Sequence, residues 1–174
     1  MIGKIFGTGL SRTGTTTLCK TLQDAGYSFI HYPNKQQLFN LGNIQGANDL
    51  PVCANYKKLD RLYPGSKFVH TYRTKELWQD SVDRYMSARK SKDGNAGSFI
   101  LENRIAVYGI PHFDLDIWSE AYDRYEAGIR DYFANRPDDI LYIKITEGDS
   151  PRELYKFLKI KGMVPKSFQQ LNRS

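Results

Sequence analysis

Short apolar runs alternate along the chain with segments whose apolar residues return every three or four positions. Residues 4–8, 27–31, 67–72 and 140–145 read as strands. Between the first two, residues 15–25 place Leu18, Leu22 and Ala25 on one helical face, and Gly26 offers a stop. Residues 34–48 hold no sustained period, so a short helix and then a loop are expected. Residues 56–63 read as a helix that ends at Pro64 and Gly65. Thr74 is placed to cap a helix to about Arg89, with Leu77, Trp78, Val82, Tyr85 and Met86 as its stripe. The polar stretch 90–98 reads as a mobile loop and 99–108 as a further helix. Residues 114–135 form the longest helical pattern. Its stripe of Leu115, Trp118, Tyr122, Tyr125, Ile129 and Tyr132 faces a core rather than lining a binding box. Residues 151–158 close the series as a short helix. Strands alternating with helices predict an α/β fold on a parallel sheet, with 67–72 at the sheet centre.

Length and composition narrow the picture. At 174 residues, 40% of them hydrophobic, the chain suits a single domain, 1–174, with a core that needs no cross-links. Cys19 and Cys53 fall in no ligand or redox spacing, so free buried thiols in a reducing compartment are expected. His31, His70 and His112 are too scattered to suggest a metal site. No secretory leader or apolar span stands out, which makes the cytoplasm the expected location and excludes a membrane partner. The net charge of +6 suits an anionic ligand. Without a Lys/Arg run or a nucleic-acid signature, that charge does not imply nucleic acid.

The chemistry concentrates in two places. Residues 9–16, Gly-Leu-Ser-Arg-Thr-Gly-Thr-Thr, lie between the first strand and the first helix. Such a turn aims backbone N–H groups and the positive end of a helix dipole at an anion. Gly9 and Gly14 permit the tight turn, Thr15 and Thr16 add hydroxyl donors, and Arg12 adds a fixed charge. The spacing matches the triphosphate loop G-x-x-x-x-G-K-[ST] except that Thr15 stands where lysine would reach the β- and γ-phosphates, which argues against ATP or GTP hydrolysis. The second place is the strand 67–72 ending in Arg73, with Ser81 eight residues later on the inward face of the next helix. Open α/β sheets bind ligands at the carboxyl ends of their strands, where Arg73 falls.

Ser11, Arg12, Thr13, Gly14, Thr15 and Thr16 resemble the 5′-phosphosulfate loop of the sulfotransferase superfamily, with Ser11 in the place of its usual proline. Arg73 and Ser81 resemble that family's 3′-phosphate site, although Thr74 and Lys75 follow where Asp-Pro is common. The likeness extends to residues 63–68 and, more weakly, to 146–148, and is closest to the small prokaryote-type branch. It implies a three-layer α/β sandwich with a central parallel sheet, the P-loop NTPase-like sulfotransferase fold. It further implies 3′-phosphoadenosine 5′-phosphosulfate (PAPS) as co-substrate and 3′-phosphoadenosine 5′-phosphate (PAP) as product. The implied acceptor is a small molecule or glycan carrying a hydroxyl or amine, and no metal takes part. Arg12 inherits the role of polarising the donor's bridging oxygen, and residues 165–172 are candidates for closing over the nucleotide. A base is also needed, and two candidates stand out: Asp49, slightly preferred, and His31 at the end of the second strand. Two other readings compete. A nucleotide or small-molecule kinase would need the missing lysine and an acid for Mg²⁺ at a strand end. A non-catalytic anion-binding module would keep the loop and lack the base.

Overall fold

The computed structural model describes residues 3–89, 97–169 and 171. Five strands form one parallel sheet in the order β2-β3-β1-β4-β5. They are β1 (Ile5–Gly7), β2 (Phe29–His31), β3 (Gly46–Asn48), β4 (Lys67–Thr71) and β5 (Ile140–Ile143). Among the described residues, seven α-helices surround them: α1 (Thr15–Asp24), α2 (Lys35–Phe39), α3 (Leu50–Leu62), α4 (Lys75–Ser87), α5 (Ser98–Tyr108), α6 (Leu115–Phe133) and α7 (Pro151–Phe157).

Strand periodicity sorts the core into layers. Ile5, Val69 and Ile143 face one side and pack against Leu18 and Leu22 of α1 and Leu154 of α7. Their neighbours Phe6, Phe68 and Ile140 face the other side, against Val52 and Leu59 of α3 and Ile129 and Phe133 of α6. Alternate residues reach opposite faces because the strand period is two. A third cluster joins α3, α4, α5 and α6 through Cys53, Trp78, Val82, Tyr108 and Trp118, with Tyr108 stacked on Trp118 at 3.7 Å. Helices on both faces of a parallel sheet give the expected three-layer α/β sandwich.

The structure departs from the sequence reading in four places. The 34–48 segment contains a strand, β3, paired in register with β1 and β2 on its two sides. β4 is therefore the fourth strand, and it flanks the central β1 instead of occupying the middle. α3 begins at Leu50, because Asp49 accepts the Leu50 N–H and Pro51 suits the first turn. Thr74 occupies the N-cap of α4 without a side-chain bond. Its N–H donates instead to Glu147 Oε1 at 2.7 Å, so a carboxylate from the loop after β5 caps the helix. The expected mobile loop at 90–98 lies largely outside the described residues. Gly97 caps α5 and Ser98 begins it. Among the described residues, no helix is long and apolar enough to cross a membrane.

Candidate functional site

The carboxyl ends of β1, β3 and β4 open into the loop 8–14, Asp49 and Arg73, so the sheet register brings three distant segments to one edge. The loop after β1 passes close against β4. A Cβ on Gly9 would lie 1.9 Å from Thr71 Oγ1 and 2.3 Å from Thr71 O. Gly14 then takes a left-handed conformation, φ 102°, as the N-cap of α1. The first helical bond runs from Leu18 N–H to Gly14 C=O, and the amides of the first turn face the helix end.

Gly14, Thr15 and Thr16 line a cleft of about 450 Å³ together with Arg12, Arg73 and Ser81. Arg12, at φ 76°, donates from Nε to Ser81 Oγ at 3.1 Å, and its guanidinium lies 4.8 Å from the Tyr85 ring centroid. Burial lowers its pKa, and the Arg73 and Arg84 charges push the same way against Tyr85 and Asp49; it remains a cation. Arg73 is locked by its own backbone: Tyr122 Oη accepts its N–H at 3.3 Å and donates to its C=O at 2.7 Å. Its Nη1 donates to Arg12 O at 3.1 Å, while its buried Nε has no hydrogen-bond partner. Arg73 lines the cleft, and a buried guanidinium donor without a partner is the kind of group an anion satisfies.

Ser11 and Thr13 are not among the residues lining this cleft. Thr13 turns inward, its hydroxyl donating to Leu10 O and sharing a 2.7 Å bond with Thr71 Oγ1. Ser11 Oγ donates to Asp49 Oδ1 at 2.5 Å, and Ser11 O accepts Trp78 Nε1 at 3.1 Å. Both residues hold the loop's shape.

Asp49 and His31, read from sequence as alternatives, stand together. His31 Nε2 is 3.0 Å from Asp49 Oδ2. Thr15 Oγ1 donates to the same Oδ2 at 2.7 Å, and Leu50 N–H donates to Oδ1 at 2.7 Å. Burial alone would raise the Asp49 carboxyl, but hydrogen bonds from His31, Ser11 and Thr15 hold it below its ordinary value. The pair is not among the residues lining the cleft; it touches the loop through Thr15 and Thr16 from β2 and the end of β3. Thr15 and Thr16 hydroxyls each lie 3.3 Å from His31 Nε2.

Sequence reading missed one cationic residue of the cleft. Arg84, one helical turn after Ser81, also lines the cleft, as does Lys166 within the 165–172 segment that the sequence reading offered as a cover for the nucleotide. Residues 166–169 and Leu171 supply one wall, anchored by Phe168 in the α1–α7 core and by Thr17 Oγ1 donating to Gln169 O at 3.2 Å. The spacing of Arg84 from Ser81 was a readable signal, because residues three apart share a helix face.

Comparison with known proteins adds one finding. A family model described as a sulfotransferase domain matches residues 33–174. The match takes in Asp49, Arg73, Ser81 and the C-terminal wall, and begins after the loop. No curated protein matches the chain.

Proposed function

The chain belongs to the sulfotransferase family, and from that premise we propose that it moves a sulfuryl group from PAPS to a hydroxyl or amine acceptor. The observation that carries this reading is one cleft lined by Arg12, Gly14, Thr15 and Thr16 along with Arg73 and Ser81, where the buried Arg73 Nε lacks a partner. Its volume is ordinary for a pocket taking a nucleotide-sized ligand. The first-turn amides of α1, with Arg12, hold the 5′-phosphosulfate; Arg73 and Ser81 hold the 3′-phosphate. Residues 166–169 and Leu171 cover the nucleotide from the far side.

In the transfer, a bond forms from the acceptor atom to sulfur as the bond from sulfur to the bridging phosphate oxygen breaks. Negative charge grows on that oxygen, and PAP departs carrying it. Arg12, the α1 amides and the threonine hydroxyls stabilise that charge as a preorganised donor set. His31 takes the acceptor's proton, reversing the preference read from sequence. Asp49's oxygens are already engaged by Ser11, Thr15, Leu50 and His31. Among the described residues, every polar contact of the His31 side chain runs through Nε2. With Nε2–H donating to Asp49, Nδ1 carries the lone pair and the side chain is 34% exposed. Asp49 thus orients the imidazole and fixes its tautomer.

Incubation of the full chain with ³⁵S-labelled PAPS and a metabolite extract tests the proposal. A labelled product that requires Arg12 is expected. Release of free sulfate alone, or no consumption of PAPS, would contradict transfer to an acceptor.

A further inference from the structure

Four cationic side chains, Arg12, Arg73, Arg84 and Lys166, converge on the cleft. Among its described lining residues Asp149 is the one acid, and its Oδ2 is engaged by Lys144 N–H at 2.6 Å. Arg12 and Arg73 have structural bonds within the site. Arg84 differs: its side chain makes no hydrogen bond or ion pair with any described residue, yet it belongs to the cleft wall and its charge acts on the Arg12 guanidinium. Four like charges facing a single acid repel each other, and a multiply charged anion reduces that cost.

The helix sets where Arg84 can reach. Ser81 and Arg84 are three residues apart on α4, and helical side chains lean toward the N-terminus over the preceding turn. The long Arg84 side chain therefore extends over the level of Ser81, toward the helix end where Arg73 stands. Ser81 is 3% exposed, its Oγ accepts from Arg12 Nε at 3.1 Å, and the Arg73 and Arg84 charges both act on that same Arg12 guanidinium, so the two arginines and the serine belong to one part of the cleft lining.

We propose that Arg84 completes, with Arg73 and Ser81, a three-residue grip on the donor's 3′-phosphate and makes the cleft select nucleotides phosphorylated there. This rests on the donor reading given above and adds to it a specificity-determining residue. A phosphate monoester carries nearly two charges at neutral pH and three acceptor oxygens, enough for two guanidinium groups and a hydroxyl.

Titration calorimetry of the full chain with PAP and with 5′-AMP, which lacks the 3′-phosphate, tests the proposal. For Arg84→Gln, PAP affinity should fall about tenfold or more while AMP affinity stays within roughly twofold. Arg84→Lys should recover part of the loss. Arg84 lies on an exposed helix rim, so an unchanged melting temperature confirms that each variant is folded. An equal loss for both ligands would place Arg84 at the 5′ end and overturn the proposal, as would unchanged affinity for both. If the unmodified chain does not prefer PAP over AMP, the donor reading itself fails, and that result is visible before any variant is made.

Discussion

Asp49 tests whether the site is held under strain. Its backbone, at φ 79° and ψ −170°, lies in a region that glycine alone enters freely, and holding another residue there costs about 1–3 kcal/mol. Its carboxylate offsets that cost by accepting from Ser11 Oγ, Thr15 Oγ1 and Leu50 N–H beside His31. Asp49→Ala removes those bonds and keeps the strain. Breaking a buried charged network in this way costs about 3–5 kcal/mol. Asp49→Gly removes the same bonds but releases the strain, less roughly 0.5–1 kcal/mol for the freer unfolded chain. The glycine variant should therefore be more stable than the alanine variant by about 1–2 kcal/mol, and both should fall below the unmodified chain. Urea unfolding followed by tryptophan fluorescence gives the comparison, read from midpoints at equal slope. An alanine variant as stable as the glycine one refutes the strain. Either variant matching the unmodified chain refutes the network.

Three further outcomes follow from the same geometry. Asp49 has a depressed folded pKa, so its contribution is complete above its unfolded value near 3.8 and is lost as pH falls through the lower folded value. Thermal midpoints between about pH 5 and pH 3 should thus fall more steeply for the unmodified chain than for Asp49→Gly, and parallel curves would contradict this. Arg73→Ala should weaken PAP by about ten- to hundredfold, the equivalent of about 1.5–3 kcal/mol for a charge-assisted contact; an unchanged dissociation constant in calorimetry would remove Arg73 from the site. Gly9→Ala places a Cβ 1.9 Å from Thr71 Oγ1, so the loop must shift. A loss of about 1–3 kcal/mol is expected, together with loss of the PAP-induced rise in melting temperature, and full retention of both would contradict the close approach.

How legible each part was depended on whether its signal was local. α1, α4 and α6 carry long apolar stripes, and the loop before α1 combines glycines, threonines and arginine in a spacing that few other roles require. β3 is Gly-Ala-Asn, three poor strand formers, and exists because β1 and β2 offer ladders on both its sides. No local pattern reveals that. The start of α3 was readable from Asp49 and Pro51, whereas the capping of α4 by Glu147 joins residues 73 positions apart. The pairing of His31 with Asp49 likewise follows from β2 and β3 being neighbours, a fact of topology. Arg73 and Ser81, which line one cleft, could be paired from sequence because both lie within one strand–helix unit.

The most direct measurement is a crystal structure of the chain with PAP. The account predicts the 5′-phosphate on the amides of Thr15 and Thr16 and the 3′-phosphate within hydrogen-bond distance of Arg73 and Ser81. A nucleotide bound elsewhere, or one whose 3′-phosphate faces solvent while Arg73 keeps its present contacts, would contradict it.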